Sequence, residues 1–199
     1  MKKIDCVQGT QEWFAIRCGV PSASNFDKII TTKGDPSKQR TKYLWQLAGE
    51  YVAGKTEETY QNAAMIRGVE TEAEARTYYE ITNGVDVEKV GFCLADGGYG
   101  ASPDGFVGND GGLEIKCPMI STHVGYLLDG TLPTDYFQQV QGNLLVTGRV
   151  WWDFVSYYPN IKPFVIRAQR DEAFIKKLSI ELEIFCQELK TVVAKLKEK

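Results

Sequence analysis

A run of strand-forming residues around a glycine-rich reversal constrains the fold of this chain more than any other feature. The run is Ser-Pro-Asp-Gly-Phe-Val-Gly-Asn-Asp-Gly-Gly-Leu-Glu-Ile-Lys-Cys-Pro, from Ser102 to Pro118. Strand-type residues flank the turn residues 108–112, which predicts two strands joined by a tight turn. Asp104 closes the first predicted strand and Glu114 lies on the second, so hairpin pairing can bring both carboxylates to one end of a sheet.

The charged residues of this hairpin suit phosphodiester hydrolysis. Two carboxylates can hold a hard divalent cation, and Glu114 and Lys116 share one face of a strand because they are two residues apart. A lysine in that place can hold or deprotonate a water beside the ion. The plain alternative is a solvated hairpin with a surface ion pair worth at most about 1 kcal/mol. Leu113, Ile115 and Cys117 make the strand partly buried, and buried charges are costly unless paired or ligated, which favours the functional interpretation.

Length and composition favour one globular domain without a uniformly basic surface. The 199 residues, 43% of them hydrophobic, can bury one substantial core, so a single domain over residues 1–199 is expected. The formal charge of -3 means that any contact with nucleic acid depends on local clustering of basic side chains. The densest cluster is Lys33, Lys38, Arg40 and Lys42, for which a solvated loop is the plain alternative.

The cysteines and the N-terminal sequence favour a soluble, cytoplasmic protein. The five cysteines are odd in number, widely spaced and without a C-x-x-C pair, which argues against a disulfide framework or a zinc module. The N-terminus lacks an apolar signal core, and no run approaches the roughly 18 apolar residues that a membrane helix needs. No membrane association is therefore expected.

Hydrophobic periodicity predicts helices on both sides of a strand-rich centre. Helices are expected as two short segments within residues 11–30 and at about 40–53, 63–80, 136–146 and 174–196, with a loop over 31–39. Strands are expected at 85–94, 99–107, 113–117, 151–158 and 163–168. This order predicts an α/β fold with a central mixed β-sheet flanked by helices and a long amphipathic C-terminal helix.

Several short blocks occur in the order and approximate spacing of a known nuclease family. The blocks are Arg17-x-Gly19, Ser22-Ala23-Ser24, Gly68-x-x-x-Glu72-x-x-Ala75-x-x-x-Tyr79, Ser102-Pro103-Asp104-Gly105, Leu113-Glu114-Ile115-Lys116-Cys117-Pro118 and Tyr136-x-x-Gln139-x-Gln141. Over about residues 10–170 the chain resembles the phage lambda-type exonucleases, or viral recombinase exonucleases, of the PD-(D/E)xK nuclease superfamily. The resemblance implies a restriction-endonuclease-like core.

The resemblance also implies an activity and a set of partners. It implies a Mg²⁺-dependent, processive 5′ to 3′ exonuclease that degrades one strand of linear double-stranded DNA to 5′-mononucleotides and leaves 3′ single-stranded tails. The chain is accordingly expected to bind duplex ends as a ring-shaped homotrimer and to pass the tail to a single-strand annealing recombinase protein. The expected setting is phage-type recombination in the cytoplasm of a bacterial host, with a phage or prophage as the source.

The resemblance assigns the residues of a metal site. Asp104 and Glu114 match metal ligands, the backbone carbonyl of Ile115 matches a further ligand, and Lys116 matches the lysine beside the attacking water. Glu72 matches a helix carboxylate that supports a second Mg²⁺ position, and Mn²⁺ is expected to substitute. Without the resemblance, Glu72 belongs to an acidic stretch that is more often a solvated helix face.

A second set of residues is implied to bind the DNA end. Arg17, Ser24, Ser102 and Gln141 match a pocket for the 5′-terminal phosphate, and an arginine fork with hydroxyls suits a phosphate dianion. Gln139 and Gln141 cannot point the same way on one helix, and the family pattern assigns Gln141 to the site. A helix N-cap is the plain alternative for Ser24.

Two further residues carry weaker signals. Met65 falls where the family places an apolar wedge that helps to split the terminal base pairs, although a methionine on a helix is more often core filler. His123 is the only histidine and is expected on the surface or in a loop, which sets aside histidine-based catalysis.

Three other functions remain open at the level of sequence. The first is an endonuclease of the same superfamily, because Asp, Glu and Lys at this spacing serve both activities. The second is a non-catalytic DNA-end-binding or annealing protein, against which the intact Asp104, Glu114 and Lys116 argue. The third is a Ca²⁺-binding module around Asp96 and Asp110, but the D-x-D-x-D-G-x₅-E loop is not present.

Overall fold

The computed structural model describes residues 1–56 and 63–198, and of residues 63–70 it describes the backbone alone. Within these ranges the helices are α1 (Gln11–Arg17), α2 (Arg40–Ala53), α3 (Ala63–Asn83), α4 (Ile120–Asp129), α5 (Phe137–Thr147) and α6 (Glu172–Lys197). Short 3-10 helices cover Ala23–Lys28 and Thr134–Tyr136. The strands are β1 (Lys2–Ile4), β2 (Val87–Glu88), β3 (Phe92–Leu94), β4 (Gly100–Ala101), β5 (Gly105–Val107), β6 (Gly111–Lys116), β7 (Trp151–Ser156) and β8 (Phe164–Gln169).

A five-stranded mixed sheet forms the centre of the fold. Its strand order is β2-β5-β6-β7-β8, in which β6 and β7 are parallel and the other neighbours are antiparallel. Strands β1, β3 and β4 form a separate antiparallel sheet. The α/β class, the mixed sheet and the long C-terminal helix expected from the sequence are confirmed.

The predicted hairpin is present as the antiparallel pair β5 and β6. Gly105 pairs with Leu113 and Val107 pairs with Gly111, so the turn lies at residues 108–110. Gly108 has φ 54°, a left-handed conformation that glycine adopts without a steric penalty. The hairpin therefore brings the segments that carry the two carboxylates side by side.

Two of the predicted strands are each divided between the two sheets. The predicted strand at 85–94 becomes β2 and β3, and the one at 99–107 becomes β4 and β5. Pro103 lies at the second break, and a proline has no N–H to donate to a strand ladder. Asp104 consequently precedes β5 instead of closing a strand, which corrects the prediction. Asp104 is the residue before Gly105, which pairs with Leu113, and Glu114 is the residue after Leu113. Asp104 therefore still lies at the same end of the hairpin as Glu114.

Helices cover both faces of the central sheet. Helix α3 packs on the face that carries Leu113, where its Tyr79 is buried. Helices α5 and α6 pack on the other face, in the larger core around Trp152. Because side chains alternate along a strand, Glu114 on β6 points to the side of α5.

Two glycines allow β6 to lie close to the indole rings of β7. A Cβ atom at Gly111 would lie 2.1 Å from the Trp151 ring, and one at Gly112 would lie 2.2 Å from the Trp152 ring. Trp152 is fully buried, whereas Trp151 is only partly buried, as expected for alternating residues of a strand. The glycines before Leu113 are thus required by packing as well as by the turn.

Helix α4 was not anticipated from the sequence, and it buries the one histidine. His123 is fully buried, with Nδ1 2.7 Å from Ser156 Oγ and Nε2 3.1 Å from the carbonyl oxygen of Lys162. The expectation that His123 lies on the surface or in a loop is therefore wrong. Ile120 and Leu128 are exposed on the same helix. The helix thus buries a polar residue and exposes two apolar ones, whereas an ordinary amphipathic helix buries its apolar side.

The described part of the chain contains no helix that is both long and apolar enough to cross a membrane. Among the helices as described, the longest is α6, which spans 26 residues and packs against α2 and α5. It begins after Asp171, whose side chain accepts a hydrogen bond from the N–H of Phe174 at 2.9 Å, as an N-cap residue does.

Candidate active site

Glu114 is the most completely bonded side chain of the predicted metal site. Only 1% of this residue is exposed. Its Oε1 accepts hydrogen bonds from Gln139 Nε2 and Lys116 Nζ, both at 2.6 Å, and its Oε2 accepts one from Asn143 Nδ2 at 3.0 Å. Gln139 and Asn143 are four residues apart on α5 and so lie on one face of that helix. Helix α5 therefore holds both oxygens of a carboxylate on the neighbouring strand.

Asp104 lies beside Glu114 at the open end of the hairpin. Its Oδ2 accepts a hydrogen bond from the Ile115 N–H at 2.6 Å, which ties the residue to β6. Burial and the nearby Glu114 carboxylate raise the pKa of Asp104 well above its ordinary value, with Lys116 opposing the rise and Glu72 adding to it. The two carboxylates thus form a pair whose negative charges repel each other.

Lys116 supplies the positive charge of the hairpin. Burial disfavours the ammonium, but the Glu114 and Asp104 carboxylates outweigh that effect and raise the pKa of Lys116 above its ordinary value. The ammonium nitrogen also lies 5.2 Å from the centre of the Tyr136 ring, a distance at which the ring face attracts a cation. A lysine that keeps its proton in this way can hold a water by donating to it.

Glu72 reaches this region from α3, on the opposite face of the sheet from α5. Its Oε1 lies 2.5 Å from Nη2 of Arg76, one helical turn further along. The same Nη2 donates to the backbone carbonyl of Asp104 at 3.3 Å. Glu72 is therefore connected to the hairpin through Arg76.

Asp104 and Glu114 together fit a hard divalent cation. Two carboxylates and the Ile115 carbonyl next along β6 offer oxygen ligands. Burial and the repulsion from Glu114 raise the pKa of Asp104, and a bound cation would offset both effects. No cluster of three or more His, Cys, Asp or Glu side chains able to hold a metal ion occurs among the residues that the structure describes. The fit therefore rests on Asp104, Glu114 and backbone oxygen, and Glu72 is held by Arg76 in this arrangement.

Three of the four residues predicted to bind a terminal phosphate lie in one connected group. Arg17 Nη2 donates to Ser22 Oγ at 3.0 Å, and that hydroxyl lies 3.3 Å from Ser24 Oγ. The guanidinium carbon of Arg17 lies 3.9 Å from the centre of the Trp13 ring, and Trp13 Nε1 donates to Ser102 Oγ at 3.0 Å. Trp13 and Ser22 thus connect the predicted residues, although the sequence did not single out either one for this site.

The Arg17 group has the chemistry of an anion-binding pocket. A cavity of about 130 Å³ is lined by Arg17 and Ser22 together with Tyr43 and Glu50. Burial lowers the pKa of Arg17, and its buried Nε has no hydrogen-bond partner. A buried guanidinium N–H without an acceptor is costly, and a phosphate oxygen would satisfy it. Ser102 does not line this cavity, but it belongs to the connected group around Arg17 and is two residues before Asp104, so the group extends to the start of the hairpin.

The side chain of Gln141 is bonded away from this pocket, so its assignment to the terminal phosphate stays a prediction that these contacts do not support. Gln141 is 2% exposed; its Nε2 donates to the Gln169 carbonyl at 2.9 Å and its Oε1 accepts from the Asp171 N–H at 2.9 Å. These bonds join α5 to the segment between β8 and α6. Gln139 is the glutamine that faces the hairpin. The backbone of Met65 lies in α3, but its side chain is outside the described residues, so the wedge remains a prediction.

The fold and the acid–lysine hairpin define the chain as a nuclease of the phage exonuclease type. It superposes on the alkaline exonuclease LHK-Exo from Laribacter hongkongensis with a TM-score of 0.87 and 37% sequence identity, over 95% of this chain and 97% of that chain. The values are the same for LHK-Exo in complex with dAMP. A phage related exonuclease from Haemophilus somnus 129PT shares the fold, with a TM-score of 0.69 and 17% identity over 90% of this chain and 96% of that one.

Residues 12–150 match the YqaJ-like viral recombinase domain, and the chain belongs to this family. No curated protein sequence matches the chain. The resemblance to viral recombinase exonucleases that was inferred from the spaced sequence blocks is confirmed.

Proposed function

We propose that this nuclease is a Mg²⁺-dependent 5′ to 3′ exonuclease that degrades one strand of linear double-stranded DNA. Its products are 5′-mononucleotides and a duplex with a 3′ single-stranded tail. The observation that carries the proposal is the adjacency of two chemistries. The Asp104, Glu114 and Lys116 hairpin suits hydrolysis. The group around Arg17 suits a terminal phosphate, and its member Ser102 is two residues before Asp104.

The proposed metal ligands are Asp104, Glu114 and the Ile115 carbonyl, and Glu72, which Arg76 holds beside the hairpin, supports a second ion. Bound Mg²⁺ supplies Lewis acidity at the scissile phosphate and lowers the pKa of a water, and Mn²⁺ can serve in its place. Gln139 and Asn143 keep the Glu114 carboxylate in one orientation, which a site for a small ion of fixed geometry requires. The ammonium of Lys116 orients the attacking water.

The direction of digestion follows from the phosphate pocket. Arg17, with Ser22, Ser24 and Ser102 around it, grips the 5′-terminal phosphate and so sets the next phosphodiester against the hairpin. One nucleotide then leaves with its 5′ phosphate. The complex of LHK-Exo with dAMP, a nucleoside 5′-monophosphate, supports this type of product.

The test is digestion of a linear duplex that carries either a 5′ phosphate or a 5′ hydroxyl, with each strand labelled separately. With Mg²⁺ we expect the strand with the 5′ phosphate to shorten from that end and release mononucleotides, and with chelator we expect no cleavage. A closed circular duplex in the same reaction is expected to survive. Cleavage of the circle would favour an endonuclease, and shortening from the 3′ end would contradict the proposed polarity.

We also propose that the chain works as a ring-shaped homotrimer around DNA and delivers the 3′ tail to a single-strand annealing protein. Membership of the viral recombinase family supports both ideas. Sedimentation equilibrium of the purified chain tests the first, because a trimer has three times the monomer mass of 22.3 kDa. A monomer at micromolar concentration would contradict it.

A further inference from the structure

Arg76 connects helix α3 to the start of the β5–β6 hairpin within the candidate site. It lies on α3, and its Nη2 is 2.5 Å from Glu72 Oε1 on the same helix and 3.3 Å from the Asp104 carbonyl at the start of the hairpin. The residue is 8% exposed. A buried guanidinium that bridges a carboxylate and a backbone carbonyl restrains both of them.

We infer that Arg76 is a positioning residue for the hydrolytic reaction, one that sets the Glu72 carboxylate and the backbone of Asp104 in a fixed relation before DNA and metal arrive. The inference rests on the proposed Mg²⁺-dependent activity. Arg76 does not touch the reacting atoms in this role. It acts through the two acidic residues that it holds.

The docking of α3 does not depend on Arg76. Ala75 and Tyr79 of the same helix are buried against the central sheet. The Tyr79 hydroxyl donates to Asp153 Oδ2 at 2.7 Å, and Arg167 holds both oxygens of Asp153 at 2.8 Å. Helix α3 is therefore attached to the sheet by its own buried residues and by a separate hydrogen-bonded network. Removal of Arg76 should loosen Glu72 and Asp104 while leaving the helix in place.

The chemistry of the guanidinium suits this position better than that of an ammonium. The Nε of Arg76 is buried and has no hydrogen-bond partner, which costs free energy. The docking of α3 does not explain why a residue with this cost is present. Both bonds come from Nη2, whose two N–H groups the planar guanidinium holds in fixed directions, whereas a lysine ammonium sits on a shorter and more flexible stem. We therefore expect Arg76→Lys to keep the attraction to Glu72 but to lose the hold on the Asp104 carbonyl.

Arg170 provides a matched control. It too joins a carboxylate to backbone carbonyls, with Nε 2.6 Å from Glu172 Oε1 and Nη1 2.7 Å from the Leu144 carbonyl. These bonds lie at the start of α6. Replacing Arg170 by methionine removes bonds of the same kinds without altering the site.

The experiment compares the wild-type chain with Arg76→Met, Arg76→Lys and Arg170→Met. Four quantities are measured: kcat and KM for 5′-phosphorylated duplex ends, the dissociation constant for Mg²⁺ without DNA by calorimetry, and the thermal midpoint. For Arg76→Met we expect kcat to fall and the Mg²⁺ dissociation constant to rise by about tenfold or more, as is usual when a residue holding a metal ligand is lost. KM and the thermal midpoint should match those of Arg170→Met.

Arg76→Lys should fall between wild type and Arg76→Met in kcat, and it decides the matter if Arg76→Met does not fold. An active wild type with unchanged kcat and Mg²⁺ binding in the Arg76 variants would overturn this inference alone. A loss of activity in Arg76→Met that only follows a lowered thermal midpoint would overturn it too. A wild-type chain without Mg²⁺-dependent digestion would overturn the proposed function, and this inference with it.

Discussion

Gln139 donates its side-chain amide to Glu114 Oε1 at 2.6 Å, although Gln141 is the glutamine that the sequence blocks had assigned to the site. The two residues are two positions apart on α5 and point in different directions. Gln139 belongs to the face that meets the hairpin, together with Asn143. Gln141 belongs to the face that meets the β8–α6 connection. The same short motif thus contains one residue bonded to Glu114 and one that joins α5 to the β8–α6 connection.

This difference predicts opposite effects for two matched substitutions. Gln139→Leu removes a donor to the proposed metal ligand Glu114 and should lower kcat by about tenfold or more with little change in the thermal midpoint. Gln141→Leu leaves the Gln169 carbonyl and the Asp171 N–H without their partner and should cost about 1–3 kcal/mol of unfolding free energy with kcat nearly unchanged. Urea unfolding and initial-rate measurements on both variants check the pair. The reverse result would return Gln141 to the site.

The proposed role of the Arg17 pocket predicts a preference between two kinds of DNA end. Arg17→Ala removes the only guanidinium that lines the pocket as described and should abolish the preference for a 5′ phosphate over a 5′ hydroxyl. The measurement is the ratio of kcat/KM values for the two ends. A preference equal to that of the wild type would rule out this role for Arg17.

Trp13 provides a finer test of the same pocket. Trp13→Phe keeps an aromatic ring beneath the Arg17 guanidinium but removes the indole N–H that holds Ser102 Oγ at 3.0 Å. We expect a reduced but measurable end preference, between wild type and Arg17→Ala, because only the Ser102 side of the pocket is released. Trp13→Leu also removes the ring face and should reduce the preference further.

Those parts of the site that depend on nearby residues could be predicted from the sequence, because short-range geometry determines them. The hairpin follows from a glycine-rich turn between strand-type residues, and Glu114 and Lys116 share a face because strand side chains alternate. The orientation of α5 could not be predicted in this way, since the packing of the helix on the sheet decides whether Gln139 or Gln141 faces Glu114. The four-residue spacing of Gln139 and Asn143 places both amides on one face of a helix, and this is the sequence signal that could have indicated the face that meets Glu114.

The unexpected helix α4 shows a second limit of pattern reading. It buries His123 through two polar partners and leaves Ile120 and Leu128 exposed, so hydrophobic periodicity points to the wrong face. The division of the strands near Pro103 has a similar cause. The chain passes between the two sheets at these breaks, and which sheet a short strand joins depends on its pairing partners. Local residue preferences do not determine those partners.

The glycines of β6 predict an effect on stability close to the site. Gly112→Ala would place a methyl group 2.2 Å from the ring of the fully buried Trp152, and overpacking of this kind costs about 1–3 kcal/mol. Gly125→Ala is the control, because a Cβ there meets no atom within 4 Å in the middle of helix α4. Alanine in a helix interior should stabilise by about 0.5–1 kcal/mol relative to glycine. Urea unfolding curves that show equal stability for both variants would contradict the close packing of β6 on β7.

Lys116→Ala separates chemistry from DNA binding. The ammonium donates to Glu114 Oε1 at 2.6 Å and is the basic group of the hairpin, whereas the proposed phosphate pocket consists of Arg17 and its neighbours. Cleavage should therefore fall by about a hundredfold or more, as when a preorganised donor is removed, while binding to a 5′-phosphorylated duplex end persists. Initial rates with Mg²⁺ and gel-shift titrations with chelator measure the two quantities. Normal turnover in Lys116→Ala would remove the lysine from the mechanism, and loss of binding in parallel with cleavage would mean that the hairpin grips DNA as well as cutting it.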